Sequence, residues 1–180
     1  YPTLTETIRH AAFQVSSIMT TTGYGTTDFD LWPTFSKALL MLLMVTGACA
    51  GSTCGGLKLA RAMLLFKSLR RNIRQVLNPR KVQVVRINRK VGDETVLDNA
   101  NAYLAAYVII IIFCFIVISL DGFSVEANFT AVLSCFNNIG PGLAEVGPTC
   151  NYSCYSDLST FLLTLAMLAG RLEIFPILVL

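Results

Sequence analysis

Thr20-Thr21-Thr22-Gly23-Tyr24-Gly25 follows a mostly apolar run and packs three threonine hydroxyls and two glycines into six residues. Glycine tolerates backbone angles that put other residues in steric conflict, so an alternating Gly-x-Gly lets successive carbonyls turn to one side of an extended segment. A row of carbonyls of this kind can replace the water around a cation. Taken alone, the six residues read equally as a cation-coordinating loop or as an ordinary turn, and the flanking sequence has to decide.

The surroundings are apolar. The chain of 180 residues is 54% hydrophobic and 14% charged, with a mean hydropathy of +0.61, well beyond an ordinary globular domain and consistent with a membrane protein. Upstream, Ile8, Ala11, Ala12, Phe13, Val15, Ile18 and Met19 recur at helical spacing over 5–19, with Thr3 and Thr5 as candidate caps. Fifteen residues give about 22 Å, short of the roughly 20 residues a span takes. This helix is expected to dip into the membrane and end at the Thr-Gly-Tyr-Gly run, aiming its negative end at whatever the carbonyls hold. His10, near its start, reads as an interfacial or hydrogen-bonded side chain rather than a ligand.

Downstream, Asp28 and Asp30 followed by Trp32-Pro33 mark a membrane interface and a helix start, and residues 37–50 form an apolar run. Gly47-Ala48-Cys49-Ala50-Gly51-Ser52-Thr53-Cys54-Gly55-Gly56 interrupts it with residues too small to sustain a strong helix. Backbone broken at membrane depth is tolerated only where protein or a water-filled cavity covers it. A moving functional element and a packing kink both fit. A nucleotide cradle does not, because its Gly-Lys-Ser/Thr ending is missing.

From Lys58 to Lys90 the chain carries 11 of its 14 cations and no acid. A nucleic-acid arm is the alternative, but the block lies between membrane-grade apolar stretches, so an excess of positive charge places it in the cytoplasm. Asn78-Pro79 divides it into a helical half and an alternating half, 82–87, that reads as a short strand and a docking surface for a soluble partner. Tyr103 to Leu120 is the clearest spanning helix. Asp121-Gly122 stops it, Ser124 and Glu126 open a second short helix over 125–137, and that helix ends in Asn138-Ile139-Gly140-Pro141-Gly142 with Glu145 close behind. The last segment, 158–180, is long enough to span and carries Gly170-Arg171-Leu172-Glu173 and Pro176 in its inner half.

The two halves repeat. A shift of 117 residues carries Val15 onto Val132, Ser17 onto Ser134, Gly23 onto Gly140, Gly25 onto Gly142 and Asp28 onto Glu145. Few positions match, but both glycines do, and so does the order of short helix, Gly-x-Gly, acid, spanning helix. Two equivalent dipping loops favour a pore with rotational pseudosymmetry over an accidental turn.

Thr21-Thr22-Gly23-Tyr24-Gly25, Gly51-Ser52-Thr53-Cys54-Gly55-Gly56-Leu57-Lys58, Asn137-Asn138-Ile139-Gly140-Pro141-Gly142 and Gly170-Arg171-Leu172-Glu173 together resemble the membrane subunit of the bacterial Trk/Ktr potassium uptake systems, within the Trk/Ktr/HKT superfamily and most closely of the TrkH type. The first also departs at one position from the potassium-channel filter Thr-Val-Gly-Tyr-Gly. The resemblance implies an all-α membrane protein of potassium-channel-like helix, pore-loop, helix repeats around a pseudo-fourfold pore, of which this chain is a C-terminal piece. Residues 1–57 would be the third repeat from its pore loop through a broken inner helix, 58–97 a cytoplasmic basic segment, and 98–180 the fourth repeat. It implies potassium held at a filter by Thr22, Gly23, Tyr24, Gly25, Ile139, Gly140, Pro141 and Gly142, with Thr21 and Asn138 flanking it. Pro141 in place of Tyr24 suggests fewer well-formed sites and weaker discrimination against sodium, so a sodium-permeable transporter of the same superfamily is the alternative. A gate of Gly51, Ser52, Thr53, Cys54, Gly55, Gly56 and Arg171 follows from the same shift, which carries Cys54 onto Arg171; a structural salt bridge is the other reading of that arginine. Implied partners are the remaining repeats, a second copy in a homodimer, a cytoplasmic nucleotide-binding subunit of TrkA or KtrA type, and membrane lipid, with no nucleic acid. The implied location is the bacterial inner membrane, crossed several times.

Cys49, Cys54, Cys114 and Cys135 lie in apolar or small-residue surroundings and read as small packing residues. Cys150 and Cys154 sit together on the expected outer side, where an oxidising compartment can join them. No organic cofactor is expected. An enzyme would need a nucleophile or base constellation, and the single His10 has no Ser or Cys partner in a recognisable arrangement. A non-conducting assembly subunit would tolerate side chains at Gly23 and Gly140.

Overall fold

A computed structural model describes residues 3–47, 57–77, 86–87, 90–91 and 94–171. The described chain is mostly helical: α1 (Leu4–Met19), α2 (Thr34–Val45), α3 (Leu59–Leu77), α4 (Glu94–Ile118), α5 (Val125–Phe136) and α6 (Asp157–Arg171), with short 3₁₀ turns at Phe29–Leu31, Ser119–Asp121, Ala144–Val146 and Tyr152–Cys154. Strand structure is limited to two-residue pairings. β1 (Thr46–Gly47) runs parallel to β2 (Leu57–Lys58), and β3 (Arg86–Ile87) runs antiparallel to β4 (Lys90–Val91). The alternating stretch therefore contributes its last two residues to a pairing, while 82–85 lie outside the described residues.

The caps follow from side-chain chemistry. Thr3 accepts from the Glu6 N–H to open α1, and Ser124 accepts from the Ala127 N–H to open α5, each satisfying a first-turn donor that has no helical partner. Among the described residues one helical stretch, Asn99–Asp121, is long and apolar enough to cross a membrane: 23 residues containing an 18-residue window of mean hydropathy 2.8, with 28% of that window buried within this chain. It starts earlier than the apolar run Tyr103–Leu120 because α4 itself begins at Glu94 and takes in the polar residues ahead of that run. α6 ends its described length at Arg171, so Leu172, Glu173 and Pro176 lie outside the described residues.

Two clusters hold the chain together. Tyr107, Ile111, Ile118, Ala131, Phe136 and Leu163 join α4, α5 and α6. Ile18, Phe29, Leu40 and Met44 of the first half enclose Ile139 and Leu143 of the second. The second cluster joins the two halves of the repeat to each other.

The junction has a polar pin. Asn137, 1% exposed, donates from Nδ2 to the Met44 carbonyl at 2.8 Å and pairs with the Tyr107 hydroxyl at 3.2 Å. α2 stops at Val45 because Thr46 is extended, so Met44 sits in a last turn whose carbonyls have no helical N–H to receive. Asn137 supplies that donor from α5. Asn137→Leu removes it from a buried site, and an unsatisfied buried polar group costs about 1–3 kcal/mol. The midpoint of thermal unfolding of the full-length protein in detergent is expected to fall by several degrees; an unchanged midpoint would show the pin to be dispensable.

Candidate functional site

Both short helices end the same way. Thr20 N–H bonds to the Ser16 carbonyl at 3.0 Å, Thr21 N–H to Ile18 at 3.1 Å and Thr22 N–H to Ser17 at 3.0 Å; 117 residues later, Asn137 N–H bonds to Leu133 at 3.0 Å, Asn138 N–H to Cys135 at 3.1 Å and Ile139 N–H to Ser134 at 2.9 Å. This is the Schellman ending, which needs a left-handed residue just past the cap, most often glycine. Here Thr21 at φ +54° and Asn138 at φ +56° fill it. The repeat read from the glycines is thus also a repeat of backbone hydrogen bonds, and it turns both chains into an extended course at equivalent residues.

The glycines meet there. Gly23 has φ +74° and Gly140 φ +113°, angles that side-chain-bearing residues rarely adopt. A Cβ on Gly23 would collide with the Ile139 carbonyl oxygen and stand 3.2 Å from Pro141 Cδ, while a Cβ on Gly140 would lie 4.0 Å from Gly23 Cα. The two Gly-x-Gly loops therefore abut backbone to backbone at matched positions. Ile139 and Leu143 turn their side chains into the core, whereas Tyr24, Gly25 and Gly140 are exposed in this chain. The C-terminal ends of α1 and α5 both lead into this contact and put their partial negative charge beside it.

The eight residues expected to coordinate are not equivalent. The Tyr24 carbonyl accepts from Ser17 Oγ at 2.7 Å, and the Gly140 carbonyl accepts from the Tyr152 hydroxyl at 2.7 Å. Thr22 Oγ1 donates back to the Ser17 carbonyl at 3.3 Å. Gly142 is buried, with its N–H on the Val146 carbonyl at 2.7 Å and space beside it taken by Val146 Cγ2 and Thr130 Oγ1, so packing alone requires a glycine there. Gly25 has ordinary clearance, with Gln14 Nε2 the nearest atom to an added Cβ at 3.5 Å. Of the residues expected to form a gate, Arg171 ends the described length of α6, and Gly51 to Gly56 lie outside the described residues; what is described beside them is Thr46–Gly47 alongside Leu57–Lys58.

Polar side chains around the loops hold them in place, His10 among them as the hydrogen-bonded side chain expected. His10 Nδ1 pairs with Thr26 Oγ1 at 3.0 Å, and buried Gln14 donates to the Thr27 carbonyl at 3.2 Å, tying the segment after Gly25 back to α1. Asp30 bridges the halves: its Oδ1 receives Lys37 Nζ at 2.8 Å and the Ala144 N–H at 3.2 Å, the latter on a residue at φ +54°. Lys37 also lies 3.9 Å from Glu126. The bond from Lys37 holds the Asp30 carboxyl below its ordinary value. A lowered carboxyl contributes stability above the ordinary carboxylate range and loses it as pH falls through the lowered value, so this bridge stays closed at neutral pH. Asp28 accepts from the Asp30 N–H at 2.9 Å, and Glu145 accepts from Ser124 Oγ at 2.8 Å; each acid pins the 3₁₀ turn that follows its loop. Cys150 and Cys154 are both free and exposed, and Cys114 and Cys135 are free and buried.

Comparison with known proteins points one way. The family model for TrkH, described as cation transport protein, matches residues 2–180. The chain is 35% identical over its whole length to the Trk system potassium uptake protein TrkH of Escherichia coli K12, covering 37% of that protein, and 36% identical over 170 residues to TrkH of Vibrio parahaemolyticus, covering 35% of it. The crystal structure of the potassium transporter TrkH from Vibrio parahaemolyticus superposes with a TM-score of 0.90 over 99% of this chain and 38% of that one, at 34% identity. The chain thus spans little more than a third of the length of these relatives.

Proposed function

The chain belongs to the TrkH family of cation transport proteins, and we propose that, as part of a longer polypeptide, it supplies two of the repeats lining a potassium-uptake pore. Residues 1–57 and 98–180 are the two repeats and 58–97 the cytoplasmic segment between them. Thr22, Gly23, Tyr24, Gly25, Ile139, Gly140, Pro141 and Gly142 form half of a filter that faces the missing repeats. One observation carries this reading: two helix ends with matching hydrogen bonds deliver their Gly-x-Gly loops to a single backbone contact at Gly23 and Gly140. Arg171 and the loop 51–56 form the gate beneath the filter. The relatives' naming as Trk system uptake proteins supports a place in a membrane transport system; a multi-pass place in the bacterial inner membrane, a homodimer and a cytoplasmic nucleotide-binding partner complete the proposal.

Sodium permeation is a second reading that one feature favours. Pro141 stands in the second loop where the first has Tyr24, so the two loops do not present the same set of groups to an ion. Rubidium uptake by the full-length protein, in cells lacking their own potassium uptake, tests both readings. Growth at limiting potassium with uptake that resists a tenfold excess of sodium is expected (a tenfold preference equals about 1.4 kcal/mol). Uptake that sodium suppresses at equal concentration would favour the second reading, and no uptake would overturn both.

A further inference from the structure

We propose that Tyr152 is a positioning residue of the filter, taking over in the second loop the task that Ser17 performs in the first; this rests on the filter reading above. In the first half, Ser17 Oγ donates to the Tyr24 carbonyl at 2.7 Å. Its repeat mate, Ser134, is completely buried and, among the described residues, makes no hydrogen bond to the second loop; its side chain lies against the Tyr152 hydroxyl instead. Pro141 stands where Tyr24 stands and keeps its carbonyl, but among the described residues Ser134 does not donate to it as Ser17 donates to Tyr24. The donor comes instead from beyond the matched helix and loop: the Tyr152 hydroxyl reaches the Gly140 carbonyl at 2.7 Å, one residue earlier in the loop.

The tyrosine is fixed to do this. It opens the 3₁₀ turn Tyr152–Cys154, whose first N–H groups are capped by Asn151, with Ser153 N–H on Asn151 Oδ1 at 3.2 Å. Its ring stacks on Tyr155 at 6.3 Å between centroids; Tyr155 meets Phe123 edge-on at 4.9 Å and donates its own hydroxyl to buried Asn128 on α5 at 2.9 Å. The hydroxyl is thereby carried on the same helix whose end the second loop follows. Gly140, at φ +113°, has no side chain to restrict its own peptide, so a bond to its carbonyl sets which way that oxygen points.

Tyr152→Phe keeps the stack and removes one oxygen atom. In full-length protein reconstituted into vesicles, compared at equal amounts of folded protein, it is expected to lower the potassium-over-sodium uptake ratio about fivefold, a loss typical of one hydrogen bond. Ser17→Ala is expected to do the same in the first loop. Gly140→Ser in parallel separates the two levels of inference. If Gly140→Ser lowers the ratio and Tyr152→Phe does not, Tyr152 is a packing residue and the proposal fails while the filter stands. If neither lowers it, the filter reading fails and this proposal with it.

Discussion

Gly23→Ser is expected to cut the potassium-over-sodium preference of the full-length protein by about tenfold or more, the equivalent of about 1.4 kcal/mol. Two terms act at once. A left-handed backbone costs a side-chain-bearing residue about 1–2 kcal/mol, and Gly23 sits at φ +74°. The added Cβ would also strike the Ile139 carbonyl oxygen of the neighbouring loop, so the strain cannot relax without moving the very peptide proposed to face the ion. Gly140→Ser carries the backbone term alone, since nothing but Gly23 Cα at 4.0 Å lies near its Cβ position, and is expected to be milder. Gly122→Ser is the control: φ is +78°, nothing lies within 4 Å of the added Cβ, and the residue belongs to neither loop. Rubidium uptake against rising sodium should show the order Gly23, then Gly140, with Gly122 unaffected. Equal selectivity in all three would mean that the loops pack the two halves together and do not touch the ion.

The features that could be read from the sequence are those set by local pattern. Helical spacing with a threonine or serine ahead of it located α1 and α5, the unbroken apolar run located α4, and a shift of 117 residues aligned loops whose backbone hydrogen bonds turn out to match bond for bond. The left-handed turns at Thr21 and Asn138 were not legible, because neither residue announces a positive φ as glycine does. Long-range polar contacts were hidden for a different reason. Asp30 reads as one more interfacial acid until Ala144, 114 residues away, presents its N–H, and Asn137 reads as part of a loop motif until α2 ends beside it. Tyr152 lay in a stretch whose visible signal was its two flanking cysteines. For Gly170, the sequence showed a small residue before an arginine; its reason is the Phe136 carbonyl, against which no Cβ fits.

Arg171→Ala is expected to raise ion flux by about tenfold or more and to weaken its dependence on the cytoplasmic partner. The described residues bear on its depth. Adjacent side chains at the end of α5 reach in two directions: Asn137 Nδ2 to the Met44 carbonyl at 2.8 Å, in the last turn of α2, and Asn138 Nδ2 to the Met167 carbonyl at 3.1 Å, in the last turns of α6. Gly170 then packs directly on the Phe136 carbonyl. The neck of the glycine-rich loop, two residues past Met44, and Arg171, one past Gly170, are therefore tied to the same helix end that delivers the second Gly-x-Gly loop. A unit charge about 8 Å from a passing cation raises its energy by about 2 kcal/mol at an effective dielectric of about 20, and its removal is worth roughly thirtyfold in rate. Arg171→Lys keeps the charge and separates the two roles of the residue: flux near wild type in Arg171→Lys but raised in Arg171→Ala identifies an electrostatic gate. Gly170→Ala, which forces α6 away from Phe136, should mimic Arg171→Ala if depth matters. Flux through vesicles, with and without the cytoplasmic partner, decides it; folded Arg171→Ala protein with unchanged flux and unchanged regulation would leave the arginine a structural residue.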